Sequence, residues 1–418
     1  IDRLISELCP DGIEFKPLGD IAELVRGNGM PKSDFTESGV GCIHYGQIYT
    51  HYGVWTTETI SFVAPETASP LAKVDTGDLV ITNTSENVED VCKAVAWLGD
   101  SQIVTGGHAT VIKHGQDPKY LSYYFRTPGF IAQKKKQATG TKVIDVSAKS
   151  LAKIRVPVPP LEIQREIVRV LDGFTQLEAE LEAELEARRR QYKYYRDALL
   201  TFGERTDSAS KQASKQASKQ IIRWTTLNDI CLNISSGGTP LSRRADFYGG
   251  DIPWLRTQEV DYSDIYSTNM TITEAGLKNS AAKWVAAKSV IVAISGAGVT
   301  RGRVAVNRIP LTTNQHCCNM EIDPAQAHYR FVYHWLVSQY DDLRSRGHGN
   351  RSDLNIGIIK AYPVPVPPLD EQERIATILD KFDALVNDLS SGLPAEIKAR
   401  RQQYEHYRDR LLTFREVA

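Results

Sequence analysis

After residue 160 the apolar residues fall at steps of three and four. Ile167, Val170, Phe174, Leu177, Leu181, Leu185, Arg188, Tyr192, Tyr195, Leu199 and Phe202 trace the seam of a long helix of coiled-coil type. Two consecutive steps of four, from 177 to 181 to 185, make a stutter that locally unwinds a supercoil. The stutter lies inside a tetrapeptide repeat, Leu177-Glu-Ala-Glu-Leu181-Glu-Ala-Glu-Leu185. A second seam runs through Ile375, Ile378, Phe382, Leu385 and Leu389, and resumes through Ile397, Tyr404, Tyr407, Leu411 and Phe414. Between its halves stands Ser390-Ser-Gly-Leu-Pro394, where Gly followed by Pro predicts a stop and a restart. From Leu161 to Phe202 a helix runs about 63 Å at ~1.5 Å per residue. Two such seams are buried only against each other or against a partner, and mutual pairing is the economical arrangement.

The two seams belong to an internal duplication. Val158-Pro-Pro-Leu161 with Gln164 returns as Val366-Pro-Pro-Leu369 with Gln372, and Leu171-Asp172 with Phe174 returns as Leu379-Asp380 with Phe382. Tyr192, Tyr195-Arg-Asp197 and Leu199-Leu-Thr-Phe202 return as Tyr404, Tyr407-Arg-Asp409 and Leu411-Leu-Thr-Phe414. Upstream the match is weaker: Phe15, Leu18 and Asp20-Ile21 align with Trp224, Leu227 and Asp229-Ile230. Each copy therefore has a divergent head and a similar tail, which suggests two readers on a shared mechanical frame.

The heads read as mixed α/β and rich in strands. Ser289–Ser295 and Asp78–Thr82 are short buried strands. Tyr120–Phe125 and Phe331–Leu336 are helical stretches whose aromatics belong to the core rather than to a base-stacking platform. The Pro-rich segments before each seam are stiff connectors without a ligand. Gly203 to Gln220 carries the Ser-Lys-Gln-Ala repeat, which has no apolar face and reads as a solvated linker.

Composition narrows the chemistry. Lys and Arg number 50 against 51 Asp and Glu, for a net charge of −1. Nucleic-acid binding driven by bulk positive charge is excluded, so any such contact must come from local basic patches. The six cysteines at 9, 42, 92, 231, 317 and 318 have neither zinc nor disulfide spacing, which points to a reducing cytoplasm. The apolar run Ser289–Thr300 is far short of the ~20 residues of a membrane span, and no apolar signal core follows Ile1.

No P-loop, no dinucleotide fingerprint and no nucleophile elbow occur; Gly27-Asn-Gly29 and Gly296-Ala-Gly298 read as turns. His316-Cys317-Cys318 tempts as a nucleophile and base, but adjacent strand residues face opposite sides. The heads instead carry polar and basic side chains in loops. In the first these are Lys32, His44, Tyr45, Gln47, His51, Asn83, Ser85, Lys134, Lys135, Lys136 and Lys142. In the second they are Arg243, Arg244, Trp254, Arg256, Thr257, Gln258, Arg301, Arg303, Arg344, Arg346 and Arg351. Arg and Gln suit guanine and adenine edges, and Lys suits phosphate, so DNA contact is the reading their clustering favours.

With these residues in place, the chain resembles the specificity (S) subunits of type I restriction–modification systems over nearly its full length. The resemblance rests on the repeated entry at Val156–Gln164 and Val364–Gln372, the repeated ending at Arg189–Phe202 and Arg401–Phe414, and the tetrapeptide repeat at 177–185. It implies an α+β fold: two mixed α/β target-recognition domains joined by two long antiparallel coiled-coil helices, with pseudo-twofold internal duplication. The domains then run 1–155 (first recognition domain), 156–203 (first spacer helix), 204–220 (linker), 221–362 (second recognition domain) and 363–418 (second spacer helix). Each recognition domain would read half of a bipartite site in double-stranded DNA. The helices would set the spacing and dock two methyltransferase (M) subunits, which bring S-adenosylmethionine, while restriction (R) subunits bring ATP and Mg. The chain itself would be non-catalytic and hold no cofactor. The broken second helix and the Ser-Lys-Gln-Ala tract depart from the family pattern. Two alternatives stay open: a coiled-coil scaffold with protein-binding heads, and a stand-alone endonuclease with an unrecognised metal site.

Overall fold

The computed structural model describes residues 1–202, 222–296, 299–347, 353–388 and 391–417. The expected linker at 204–220, Arg351 and the seam residue Leu389 lie outside the described residues. Five helices carry the frame: α1 (Pro118–Tyr124), α2 (Leu161–Leu200), α3 (Tyr329–Ser338), α4 (Leu369–Asn387) and α5 (Leu393–Leu411). The chain forms two compact units, one of Ile1–Glu182 with Glu396–Ala418 and the other of Ala183–Ala395. The division falls inside α2, so each unit is completed by a helical segment from the other copy of the repeat.

Each head is built on two small sheets. In the first unit one sheet runs in the order Ala22–Arg26, Ala109–His114, Leu79–Thr82, Ala94–Trp97, Trp55–Thr56. Its neighbour runs Phe35–Thr36, Ser61–Val63, Val40–Ile43, Ile103–Thr105, Ala72–Val74. The second unit repeats the plan with Cys231–Ser236, Cys317–Ile322, Val290–Ala293, Val304–Asn307, Asp264–Ile265, beside Thr271–Ile272, Tyr248–Leu255, Leu311–Thr313, Trp284–Val285. The two strands expected from short apolar runs, Leu79–Thr82 and Val290–Ala293, are buried along their whole length. Central strands of this kind show no alternation because both faces are covered.

The Pro-rich entries do more than connect. Arg155–Pro157 pairs antiparallel with Phe15–Pro17, and Pro363–Val366 pairs with Arg223–Thr226. Two-stranded ribbons tolerate proline because each strand has a free edge for the missing N–H. The weak upstream match in the repeat is thus structural. Leu18 and Leu227, both fully buried, close the ribbons with equivalent bonds, Leu18 N–H to the Ile154 carbonyl at 2.8 Å and Leu227 N–H to the Tyr362 carbonyl at 2.9 Å.

The other repeated residues fasten each head to its helix. Gln164 is completely buried; its Nε2 donates to the Pro159 carbonyl at 2.7 Å and its Oε1 accepts the Asp117 N–H just before α1 at 2.9 Å. Gln372 does the same with the Pro367 carbonyl at 2.8 Å and the His328 N–H just before α3 at 2.8 Å. A buried amide satisfied at both ends fixes the Pro-Pro turn and the start of the head helix together. About two turns further on, Asp172 accepts from Lys119 (2.7 Å) and Tyr123 (2.8 Å) of α1. Asp380 accepts from Arg330 (2.8 Å) and bonds His334 (2.6 Å) of α3. Around these bonds pack Tyr120, Leu121, Ile163, Ile167 and Leu171 in the first unit, and Phe331, Val332, Ile375, Ala376 and Leu379 in the second. The aromatic stretches of both heads are core, as their spacing indicates.

The seams pair within each unit. In the first, Phe174 stacks on Tyr407 with ring centres 5.4 Å apart, and Arg401 bridges Glu178 and Glu182 at 2.5 Å each. Numbers rise along α2 as they fall along α5, so the two are antiparallel there. In the second unit Phe382 stacks on Tyr195 at 5.4 Å and on Tyr192 at 6.4 Å. Four seam positions differ from expectation: Val170 and Ile378 are half-buried while Leu171 and Leu379 are fully buried, Tyr195 stays exposed beside its ring partner, and Leu385 is exposed while Val386 is buried. At Val170 the cause is that the first turns of α2 must cover the head as well as the seam, which widens the buried stripe to Ile163, Ile167, Val168 and Leu171. The predicted stop and restart separates α4 from α5. Gly392 is buried there, and a Cβ on it would collide with the Ala384 carbonyl, so only glycine fits the stop.

The second head carries an acid-sensitive joint that the first does not. His334 is fully buried, and burial holds its pKa below the ordinary 6.5 despite the Asp380 bond. Burial pushes Asp380 up, but the His334 and Arg330 bonds outweigh it and leave it at about 2. As pH falls through 6.5 the unfolded imidazole takes up a proton that the folded one resists, so this contribution to stability is complete above 6.5 and lost below it. Asp380 adds a loss in the same sense from about 3.9 down towards 2. Replacing His334 with Tyr, the residue at the equivalent Tyr123, is expected to lower the acid-unfolding midpoint of the second unit. The pH slope of its stability just below pH 6.5 should flatten by up to about 1.4 kcal/mol per pH unit. Tryptophan fluorescence against pH reads this, and an unchanged slope in H334Y would contradict it.

Candidate nucleic-acid interface

In each unit the same loops converge at one end of the head. In the first, the Gly107 N–H bonds the Gly29 carbonyl, the Asn83 N–H bonds the His108 carbonyl, and the Val146 N–H bonds the Asn83 carbonyl, all at 2.8 Å. In the second, the Gly238 N–H bonds the Thr313 carbonyl, the Ile294 N–H bonds the His316 carbonyl, and the Leu354 N–H bonds the Ile294 carbonyl, all at 2.9 Å. Close backbone approach at these joints leaves no room for side chains. A Cβ on Gly27 would collide with the Gly106 carbonyl, and one on Gly237 with the Thr313 carbonyl.

Several predicted residues meet at the first apex. His44 precedes the helix Tyr45–Thr50; its Nδ1 accepts the Gly46 N–H at 3.2 Å, while Gln47 Oε1 accepts the His44 N–H at 2.9 Å. Burial first, then the nearby charges of Lys32 and His108, hold His44 below its ordinary pKa, so it stays a neutral acceptor. Tyr45 lies over His108 with ring centres 5.0 Å apart, and Thr84 Oγ1 lies 3.0 Å from His108 Nδ1. Ser85 follows Thr84 in a short strand paired with Ile144–Asp145, close to the exposed Lys142. Lys32 is exposed and forms no ion pair in the described structure. His51 is exposed beside Tyr52 at the far end of the helix that His44 begins.

The second apex is richer in arginine, and its arginines are tied down. Arg256 pairs with Glu259 at 3.7 Å, Arg244 with Asp246 at 2.6 Å, and Arg303 with Asp261 at 2.5 Å. Arg243 and Gln258 are exposed, and Arg301 is half-buried. Arg344 and Arg346 lie on and just after the helix Tyr340–Ser345; Arg344 sits over Tyr340, and Arg346 bonds Asp342 at 2.9 Å.

Five predicted contacts are corrected, the first being His44, which is buried with its ring capping the helix Tyr45–Thr50. Lys134 is buried, and its Nζ donates to the carbonyls of Glu89 at 2.8 Å and Val91 at 2.6 Å. Asn83 is fully buried, bonding the Val146 carbonyl and Thr110 Oγ1 at 2.8 Å each. Trp254 is buried, with Nε1 on the Gly238 carbonyl at 3.0 Å. Thr257 is buried and donates to Asn314 Oδ1 at 3.1 Å. These side chains hold the loops in shape and do not face outward. Lys135 and Lys136 on the helix Pro128–Gln137 are exposed, but they stand on a different element from the apex loops.

His108 and His316 were missed as apex residues. Each follows a strand end in a stretch, Thr105-Gly-Gly-His108 and Thr313-Asn-Gln-His316, that reads as an ordinary turn. Their shared place in the repeat was the available signal. His316 is exposed while its neighbour Cys317 is buried with its thiol pushed up to about 12 by burial, which removes the nucleophile from the suspected pair. Among the described residues no three His, Cys, Asp or Glu side chains gather as metal ligands would, and no helix is long and apolar enough to cross a membrane.

The sequence matches the family described as type I restriction modification DNA specificity domain twice, over residues 10–187 and 223–399. It is 34% identical over 279 residues to the specificity subunit of the type I restriction enzyme EcoR124I/EcoR124II of Escherichia coli, covering 64% of this chain and 65% of that one. A putative type I specificity subunit of Haemophilus influenzae is 26% identical over 96% of both chains. The fold is similar to the crystal structure of an S subunit from M. genitalium, with TM-score 0.56 and 14% identity over 96% of each chain. It is similar also to a chain from a structure concerned with assembly and conformational transition of the type I system, with TM-score 0.60 and 15% identity over 96% of this chain and 97% of that one.

The correction at Lys134 is testable. Lys134→Met leaves two buried carbonyls without their donor and is expected to cost about 1–3 kcal/mol of stability, measured by thermal or denaturant unfolding. A stability equal to wild type, with weakened DNA binding, would return Lys134 to the surface set.

Proposed function

We propose, since the chain belongs to the family of type I restriction modification DNA specificity domains and carries that domain twice, that it is the DNA-reading subunit of such a system. Each head reads one half of a bipartite duplex site. Methyltransferase subunits docked on the helices bring S-adenosylmethionine, and restriction subunits bring ATP and Mg, in the cytoplasm where the DNA lies. The observation that carries this reading is the loop-for-loop equivalence of the two apices, with different side chains on the same loops. His44 in the first, buried as a helix cap, stands where the half-buried Arg256 stands in the second, and Tyr45, beside His108, stands where Thr257 is turned inward onto Asn314. One frame with two sets of hydrogen-bonding side chains is what two unlike half-sites require.

The frame also assigns a task to α2. The Leu-Glu-Ala-Glu repeat sits in the helix along which the chain passes from the first unit to the second. One repeat unit is about 6 Å of helix, and we take the number of units to set the gap between half-sites.

Methylome sequencing of cells expressing the chain with its methyltransferase subunit, against cells lacking the chain, tests the function. The expected result is a new bipartite motif, two short half-sites around a fixed gap with a methylated adenine in each. Absence of any new motif, together with no sequence preference in a gel shift of the assembled complex, would overturn the reading. Deleting one Leu-Glu-Ala-Glu unit is expected to change the gap by roughly one or two base pairs while both half-sites stay the same. Altered half-sites around an unchanged gap would refute the role given to the helix.

A further inference from the structure

The internal duplication allows the two apices to be compared position by position, and one exposed side chain is the same in both. His108 and His316 occupy equivalent places: each carbonyl accepts one inter-loop N–H, from Asn83 at 2.8 Å and from Ile294 at 2.9 Å, and each ring is exposed. Their surroundings otherwise differ. Tyr45 lies over His108, whereas the equivalent Thr257 is turned inward onto Asn314.

The two loops reach this arrangement by unlike local chemistry. His108 has φ +67°, a left-handed backbone that non-glycine residues seldom adopt, and it follows Gly106-Gly107. Thr84 Oγ1, 3.0 Å from Nδ1, fixes the ring of this exposed residue. His316 needs no left-handed residue. Its N–H donates to Asn314 Oδ1 at 3.0 Å in a side-chain turn, and Gln315 Nε2 lies 3.2 Å from its Nε2. A backbone outlier held in place by its neighbours is a frequent companion of a functional residue.

Resting on the function proposed above, we infer that His108 and His316 contact the DNA backbone phosphates of their respective half-sites, and that the unlike side chains around them read bases. Two heads that read different sequences share the phosphodiester backbone, the one chemical feature present at every position of both targets apart from the single adenine expected in each half-site. A side chain common to both apices therefore fits that shared feature. Imidazole N–H groups donate to phosphate oxygens without discriminating among bases.

The test uses the assembled complex with its methyltransferase subunits and two probes: a duplex carrying the bipartite motif found by methylome sequencing, and the same duplex with one half-site scrambled. His108→Asn keeps the loop, since Asn accepts the left-handed backbone, and His316→Ala serves in the second head. Each variant is expected to weaken binding to both duplexes by the same factor, roughly three- to tenfold, leaving their affinity ratio unchanged. A methylphosphonate at the contacted phosphate should abolish that variant's effect. A changed affinity ratio would make the histidine a base reader, and unchanged affinity for both duplexes would make it a bystander; either overturns the inference. Wild-type complex that fails to discriminate the duplexes would instead defeat the proposed function itself.

Discussion

The structure depends on a reciprocal ring stack. Phe174 of the first copy stacks on Tyr407 of the second, and Phe382 of the second stacks on Tyr195 of the first, both at 5.4 Å. Each Phe stands soon after a repeated Leu-Asp pair, and each Tyr stands in a repeated Tyr-Arg-Asp. The repeat therefore encodes a lock and its counterpart in every copy. It also explains why neither head is complete with its own tail alone. Leu412 enters the core of the first unit, and Tyr192 with Leu200 enters the core of the second. Aromatic pairs of this geometry contribute about 0.5–1.5 kcal/mol beyond the area they bury. The larger gain comes from the apolar stripe that they register.

Above the stack, the same residues do equivalent work in both copies while the chemistry around them differs. Gln164 and Gln372 bridge a Pro-Pro carbonyl and the start of a head helix in the same way. Asp172 and Asp380 are equivalent acceptors, but one meets Lys119 and Tyr123 while the other meets Arg330 and His334. A half-buried carboxylate calls for donors where it is covered, yet several donors can serve it. Fixed acceptors on the helices with interchangeable donors on the heads allow one frame to carry unlike heads.

The helices and the duplication were legible because they are periodic: steps of three and four reveal a seam, and recurrence at a near-constant offset reveals a repeat. The central strands were legible as unbroken apolar runs. The Pro-rich strands were not, since proline argues against a strand unless its edge is free, and an edge is a property of the sheet. The apex was half legible. Asn83, Lys134 and Trp254 have the side chains of DNA readers, but backbone carbonyls that only the fold brings near consume their donors. His108 was missed for the opposite reason: Gly-Gly-His reads as a turn, and nothing local announces a left-handed histidine with its ring outward.

The ion pairs at the second apex bear on how a chain of net charge −1 could be selective. Arg244, Arg256 and Arg303 each hold a carboxylate. Arg244–Asp246 is exposed on both sides, and a pair of that kind is worth only ~0–1 kcal/mol, so exchanging it for a guanine edge costs little. A mismatched base, however, offers no bidentate partner, and the carboxylate then keeps its arginine. Neutralised arginines also grip random DNA less, because the sequence-independent part of binding scales with phosphates neutralised. Under the proposed function, balanced charge suppresses the background against which two short half-sites must be distinguished.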